Sequence, residues 1–425
     1  MKFSRILIML LFNLKGFAQR NPDQNFINNV QGIQFTAAGN QLQYPVINLN
    51  DVASLALDFD DLNANIKTYY YTYELCDADW QPANVTQFDY LKGFLQNRIS
   101  QYKMSSISKI NYTHYQVRLP ESNCMPAKSG NYILKVFLDG DTSNLVFTRR
   151  MLVVDNKVKI SAQIQQPFDN DKLKTHQKLQ FTINVSPLNI QSPQQQVKVV
   201  VLQNFRWDNA ITGMQPVFMR GSEYEYNGER DFMFEAGKEF RWVDARSFRF
   251  ESERIKNVDR NTTPFNVFLF NDKQRTNIVY QPYQDYDGFQ TISAAEQPIN
   301  AWYQGDYAFV HFSFITDNKL AIPGKDVYIA GQFTNYRYDD STKLVYNTEN
   351  GAYEKTILVK QGYYPYIYTT KDIVNPAAPP EMAQTEGNYW ETENEYTILV
   401  YYTSLSYRRD ELVGYTTINS RANAQ

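Results

Sequence analysis

Apolar and polar residues alternate with period two along much of this chain. In residues 66–76, Tyr69, Tyr71, Tyr73 and Leu75 fall on one side of an extended backbone, and in 131–138 Tyr132, Leu134 and Val136 do the same. The pattern returns at 157–164 through Val158, Ile160, Ala162 and Ile164, and at 179–185 through Leu179, Phe181, Ile183 and Val185. Each run reads as a half-buried strand with one face toward a core. Between 326 and 368, Gly331, Asn335, Gly351 and Gly362 punctuate further short strands, where turns call for positive φ. No segment carries a sustained helical stripe with caps at both ends. The pattern therefore predicts an all-β protein built of β-sandwiches.

Regular alternation lapses near 155 and again across 282–300, so the chain divides into three expected units: 19–155, 156–300 and 301–425. Single cores seldom grow past 250–300 residues, so a chain of 425 calls for several. Residues 1–18 form a secretory signal peptide: Lys2 and Arg5, an apolar run from Ile6 to Phe12, and small residues Gly16 and Ala18 where a signal peptidase cuts. That run is too short to span a bilayer, so no direct membrane insertion is expected.

Basic residues number 42 and acidic residues 45, a net charge of −3, which gives no electrostatic case for a nucleic-acid partner. Partners must then be held by shape and apolar contact. Aromatic residues make up 15% of the chain, which suits both pleated strands and interfaces. The two cysteines, Cys76 and Cys124, could pair in an oxidising compartment or stand as separate buried thiols. His114, His176 and His311 each stand alone, and His114 and His311 fall in strand-like runs as structural imidazoles. No nucleophile elbow, zinc motif or phosphate loop is present. The reading is of a non-enzyme with no catalytic residues, no cofactor and no metal-ligand set. Asp285-Tyr286-Asp287-Gly288 has the look of a calcium loop, but Tyr283 stands at the first-ligand position and Ala294 at the closing one. These aspartates read as turn residues.

The third unit resembles the early-set immunoglobulin-like modules, whose best-known members bind glycans. Such relatives commonly offer a tryptophan that stacks on a sugar just past the turn that here reads Gly331-Gln332-Phe333-Thr334-Asn335, and this chain has no tryptophan there but Tyr336 and Tyr338. They are the expected surface aromatic contacts, and a periplasmic or surface glycan-binding protein is the alternative function. A more extensive likeness runs through the first unit. Tyr71-Thr72-Tyr73-Glu74-Leu75-Cys76-Asp77-Ala78-Asp79-Trp80, then Tyr90-Leu91-Lys92-Gly93-Phe94, Tyr112-Thr113-His114-Tyr115, Ser129-Gly130-Asn131-Tyr132 and Arg149-Arg150-Met151 follow one another. Lys360-Gln361-Gly362-Tyr363-Tyr364 and Arg409-Asp410-Glu411-Leu412-Val413-Gly414 continue it. In order and spacing this resembles the type IX secretion system plug protein family of Bacteroidetes. The resemblance implies a periplasmic protein, a monomer within its complex, that binds the outer-membrane translocon barrel and closes its periplasmic opening when no substrate is passing.

Overall fold

The computed structural model describes residues 22–404 and 409–421, so the expected signal peptide lies outside the described residues. Strands hold 46% of the chain and helices 4%. The fold is all-β, a set of packed sandwiches, and no helix among the described residues is long and apolar enough to cross a membrane.

In the first sandwich, a six-stranded sheet runs in the order Gln24–Asn25, Leu145–Val154, Gly130–Leu138, Tyr69–Cys76, Asn97–Arg98, with Val46–Asn48 parallel on Leu145–Val154. It faces a four-stranded sheet of Val30–Ala37, Leu55–Asp61, Thr113–Leu119 and Gln101–Met104. The alternation read from sequence places Tyr69, Tyr71, Tyr73 and Leu75 in the shared core, fully buried. A buried phenol usually finds a partner for its hydroxyl, although that of Tyr73 has none among the described residues. Tyr69 donates to Asp61 (2.9 Å) and Tyr71 to Glu121 (2.7 Å), both at the core's edge.

The cysteines do not pair. Both are buried free thiols. Cys124 packs in the core with Tyr71 and Tyr73, whereas Cys76, one step out of phase with Leu75, belongs to a second apolar cluster. Period-two geometry puts the two on opposite faces of the sheet, and a bridge would have to pass through it.

The expected boundary at 300 is corrected by strand pairing. Val197–Gln203 pairs with Glu395–Thr403, which pairs with Asp410–Asn419. The last strands of the chain thus complete the second sandwich, against the sheet of Lys159–Gln165, His176–Asn184 and Glu223–Tyr226. Conversely, Arg241–Asp244 and Thr291–Ile292 pair with Gly362–Asp372 in the third sandwich. Its other sheet carries Phe265–Leu269, Tyr307–Ile315 and Ala352–Lys360. The third sandwich is therefore an insertion in the second, entered near Ala236 and left near Asn394. Two of the punctuating residues also act otherwise than expected. Asn335 (φ 51°) and Gly351 (φ 60°) are left-handed, but Gly331 is extended. Gly362 is needed for close approach, since a Cβ there would sit 2.2 Å from the Thr291 carbonyl oxygen.

Two junctions lock the sandwiches together. The outer face of the first sheet contributes Cys76, Trp80, Ile133 and Leu152 to a cluster completed by Leu202, Trp207, Leu399 and Tyr401 of the second sandwich. Trp80 and Trp207 meet edge to face at 4.8 Å, with Arg150 over both rings, and the Tyr401 hydroxyl donates to Asn131 (2.8 Å). The first and third sandwiches meet at a buried ion pair, Lys360 Nζ to Asp60 Oδ2 at 2.5 Å, each side chain 1% exposed. Tyr307 donates to the same oxygen at 2.6 Å, and His114 Nδ1 lies 2.7 Å from Asp60 Oδ1. His114 is thus the structural imidazole expected. Its other nitrogen is 3.3 Å from Asp58, near enough for an ion pair but off line for a hydrogen bond.

Candidate functional site

Where the three sandwiches converge they leave a cleft of about 850 Å³. The first sandwich lines it with Gln34 and Phe35 of Val30–Ala37, with Tyr44, and with Arg149 and Arg150 of Leu145–Val154. The second contributes Phe205, Trp207 and Asp208, which follow Val197–Gln203. The third contributes Tyr336 and Tyr338, just past the 3-10 turn Gln332–Thr334, together with Lys371 and a proline-rich wall at 376–380.

Two of these aromatic rings are thrown into place by unusual backbone. Asn204 and Phe205 both have φ of 51°, and Asn335 and Tyr336 have 51° and 47°. Asparagine adopts this conformation readily, but for the aromatic residue behind it the strain costs about 1–3 kcal/mol. The strain is offset by contact. Tyr44 stacks on Phe205 at 3.7 Å and tilts against Phe289 at 4.2 Å.

Tyr336 and Tyr338, expected as surface contacts, are half-buried and built into the wall. Tyr338 donates its hydroxyl to Asp208 (2.7 Å) and packs edge-on against Tyr328 at 5.4 Å. It is a tie between the second and third sandwiches. Tyr336 lies under the Arg206 guanidinium, and its hydroxyl is shut off from solvent with no partner among the described residues, as is Gln34 Oε1. Lys371 lies over the Tyr338 ring at 5.3 Å, so each of the two rings carries a cation on it. Sequence reasoning missed Tyr44, Trp207 and Asp208, because Tyr44 lies on the first unit and the other two on the second, and no local pattern joins them.

The electrostatics favour holding over reacting. Asp23 is paired with Arg150 (2.8 Å), Asp208 with Arg206 (2.7 Å), and Asp339 with Arg337. Burial pulls the Arg149 guanidinium down to about 10, and its donors go to the Thr148 carbonyl (2.7 Å) and the Asn25 side chain (2.8 Å). Neither a histidine nor a cysteine lines the cleft. The cleft holds each of its carboxylates against an arginine. Its aromatic faces and donors suit a bound segment with carbonyl or carboxylate groups.

Residues 30–155 match the family model described as "Type 9 secretion system plug protein 1st domain". No curated protein matches the chain. A crystal structure of a hypothetical protein from Parabacteroides merdae ATCC 43184 is similar over 93% of this chain and 98% of its own. The two share 30% sequence identity with a TM-score of 0.88.

Proposed function

The chain belongs to the type 9 secretion system plug protein family, and on that premise we propose that it is a non-enzymatic periplasmic plug. In this reading it binds the outer-membrane translocon barrel of the type IX system and closes the periplasmic opening when no substrate is passing. The observation that carries the reading is the family match over 30–155. The interlocked architecture supports it. A body that occludes a pore must not flex open, and the three sandwiches are tied by a shared apolar cluster, a buried ion pair and two chain crossings. Occlusion requires no chemistry, in keeping with a cleft whose carboxylates are all paired.

A stable seal buries at least about 1,000 Å². With a net charge of −3, aromatic area supplies its anchors, and Phe88 and Phe94 of the first sandwich, 80% and 62% exposed, are rings of that kind. Affinity purification of the tagged barrel from native cells, read by mass spectrometry, is expected to bring this protein down, and its consistent absence would sink the proposal. The complex should persist as salt rises from ~0.1 to ~1 M, where the Debye length falls from about 10 to about 3 Å. Calorimetry with starch-like and peptidoglycan fragments should give no saturable heat.

A further inference from the structure

Behind the aromatic wall of the cleft the fold gathers carboxylates that plugging does not use. Asp285 and Asp287 come from the 282–290 segment of the third sandwich. Glu393 stands where the chain crosses back into the second, just before Glu395–Thr403. One oxygen from each of the three lies within 4.8 Å of the others. Asp285 is anchored, its oxygens accepting the backbone N–H groups of Asp287 (3.0 Å) and Phe240.

Two separate observations point to a missing positive partner. Asp287 Oδ1 is shut off from solvent and has no hydrogen-bond partner among the described residues. Glu239, 2% exposed, takes bonds on Oε1 from the Tyr280 hydroxyl (2.5 Å) and Arg421 (3.0 Å), yet its Oε2 is equally buried and partnerless. That carboxylate lies against the Glu393 backbone, and its charge bears on both aspartates. Buried carboxylates in this density need a cation or a proton.

We propose that Asp285, Asp287 and Glu393, backed by Glu239, form a calcium site that ties the third sandwich to the strand re-entering the second. The donor set is all carboxylate oxygen, which selects a hard cation over zinc or copper. Three clustered carboxylates suit calcium, which takes many carboxylate oxygens in a flexible geometry, better than magnesium, which usually keeps several waters and only one or two carboxylates. The sequence hides this site because its closing ligand is not at Ala294, where a calcium loop would carry it, but far along the chain at Glu393. Its place gives it a consequence for the cleft. A Cβ at Gly288 would come 2.1 Å from the Tyr336 hydroxyl, so the turn that presents Asp287 also backs the aromatic wall.

The test is calorimetric titration of the EDTA-stripped mature chain with CaCl2 at about pH 8, well above the ordinary carboxylate range. One saturable site is expected, weakened at least about tenfold in Asp287→Asn and in Glu393→Gln and unchanged in Tyr338→Phe. Wild-type melting temperature should rise with CaCl2 and fall back with EDTA, with MgCl2 much weaker. Asp287→Asn removes a repelled charge, so it should fold without calcium, and circular dichroism checks this. Glu393→Gln, on the other side of the junction, keeps the test open if it does not. No saturable heat up to ~5 mM CaCl2, the weak end of calcium sites, would overturn the proposal. So would wild-type affinity in both folded variants.

Discussion

Replacing Lys360 by methionine tests whether the first and third sandwiches are one body. Methionine roughly preserves the volume of the buried stem and removes the ammonium, leaving Asp60 in a site 1% exposed. Burial alone would raise the Asp60 carboxyl, but Lys360 and then His114 overcome it and hold it below the ordinary range. Breaking a buried pair by deleting one partner costs about 3–5 kcal/mol. Asp60 keeps the Tyr307 hydroxyl and the His114 ring, so the expected loss is nearer about 3. Denaturant unfolding followed by tryptophan fluorescence is suited to this junction, because Trp302 stacks on His114 with centroids 5.5 Å apart. In a double-mutant cycle with Asp60→Asn, the two losses should fall short of additive by at least about 1 kcal/mol. The variant should also depend on pH more steeply than wild type. Burial pulls His114 down, but the Asp58 carboxylate 3.3 Å away and the hydrogen bond to Asp60 more than restore it and leave it raised. A raised imidazole contributes stability that is complete below its unfolded value near 6.5 and is lost as pH climbs through the folded value. With Lys360 gone that loss should steepen. A Lys360→Met chain that unfolds within about 0.5 kcal/mol of wild type, or additive losses in the cycle, would refute the reasoning.

Three other outcomes follow from the same contacts. Trp207→Ala should destabilise by about 3–5 kcal/mol and raise protease sensitivity between the first two sandwiches, because it empties the ring between Trp80 and Arg150. Glu386 is fully buried; burial would raise its carboxyl, but Arg241 and Arg275 bring it to about 2. Its contribution, about 3 kcal/mol, is present above pH ~4.5 and lost as pH falls toward ~2, so Glu386→Gln should flatten the acid limb of the unfolding curve over that window. Burial first raises both thiols, Cys124 to about 12, so a thiol reagent should read none in the native protein and two after unfolding in guanidinium. Finding none after unfolding would mean that the two are bridged.

Much of the first sandwich was legible along the chain because strand periodicity is a local property. Tyr69, Tyr71 and Tyr73 need only a sheet with one wet and one dry face to be placed correctly. The same rule, taken one residue further, puts Cys76 on the other face from the Tyr71 and Tyr73 core that holds Cys124, yet the sequence alone left their pairing open. His114 and His311 were likewise readable as structural, since a lone imidazole inside an alternating run has no chemistry to share. Gly362 was recognised as special for the wrong cause, because a close approach to the Thr291 carbonyl leaves no trace in neighbouring residues.

What the alternation could not carry was which strands pair across long separations. Val197–Gln203 and Glu395–Thr403 each look like half of a generic hairpin, and nothing in either names the other. Yet their pairing makes the third sandwich an insertion and brings Glu393 beside Asp285 and Asp287. The cleft arose in the same way, from Tyr44, Trp207 and Tyr338, one from each sandwich. By itself the sequence determined the strands, their buried faces and the family, since each rests on residues close together in the chain. The junctions, the cleft and the carboxylate cluster were decided by tertiary structure, because each depends on contacts whose energy exists only once distant strands have met.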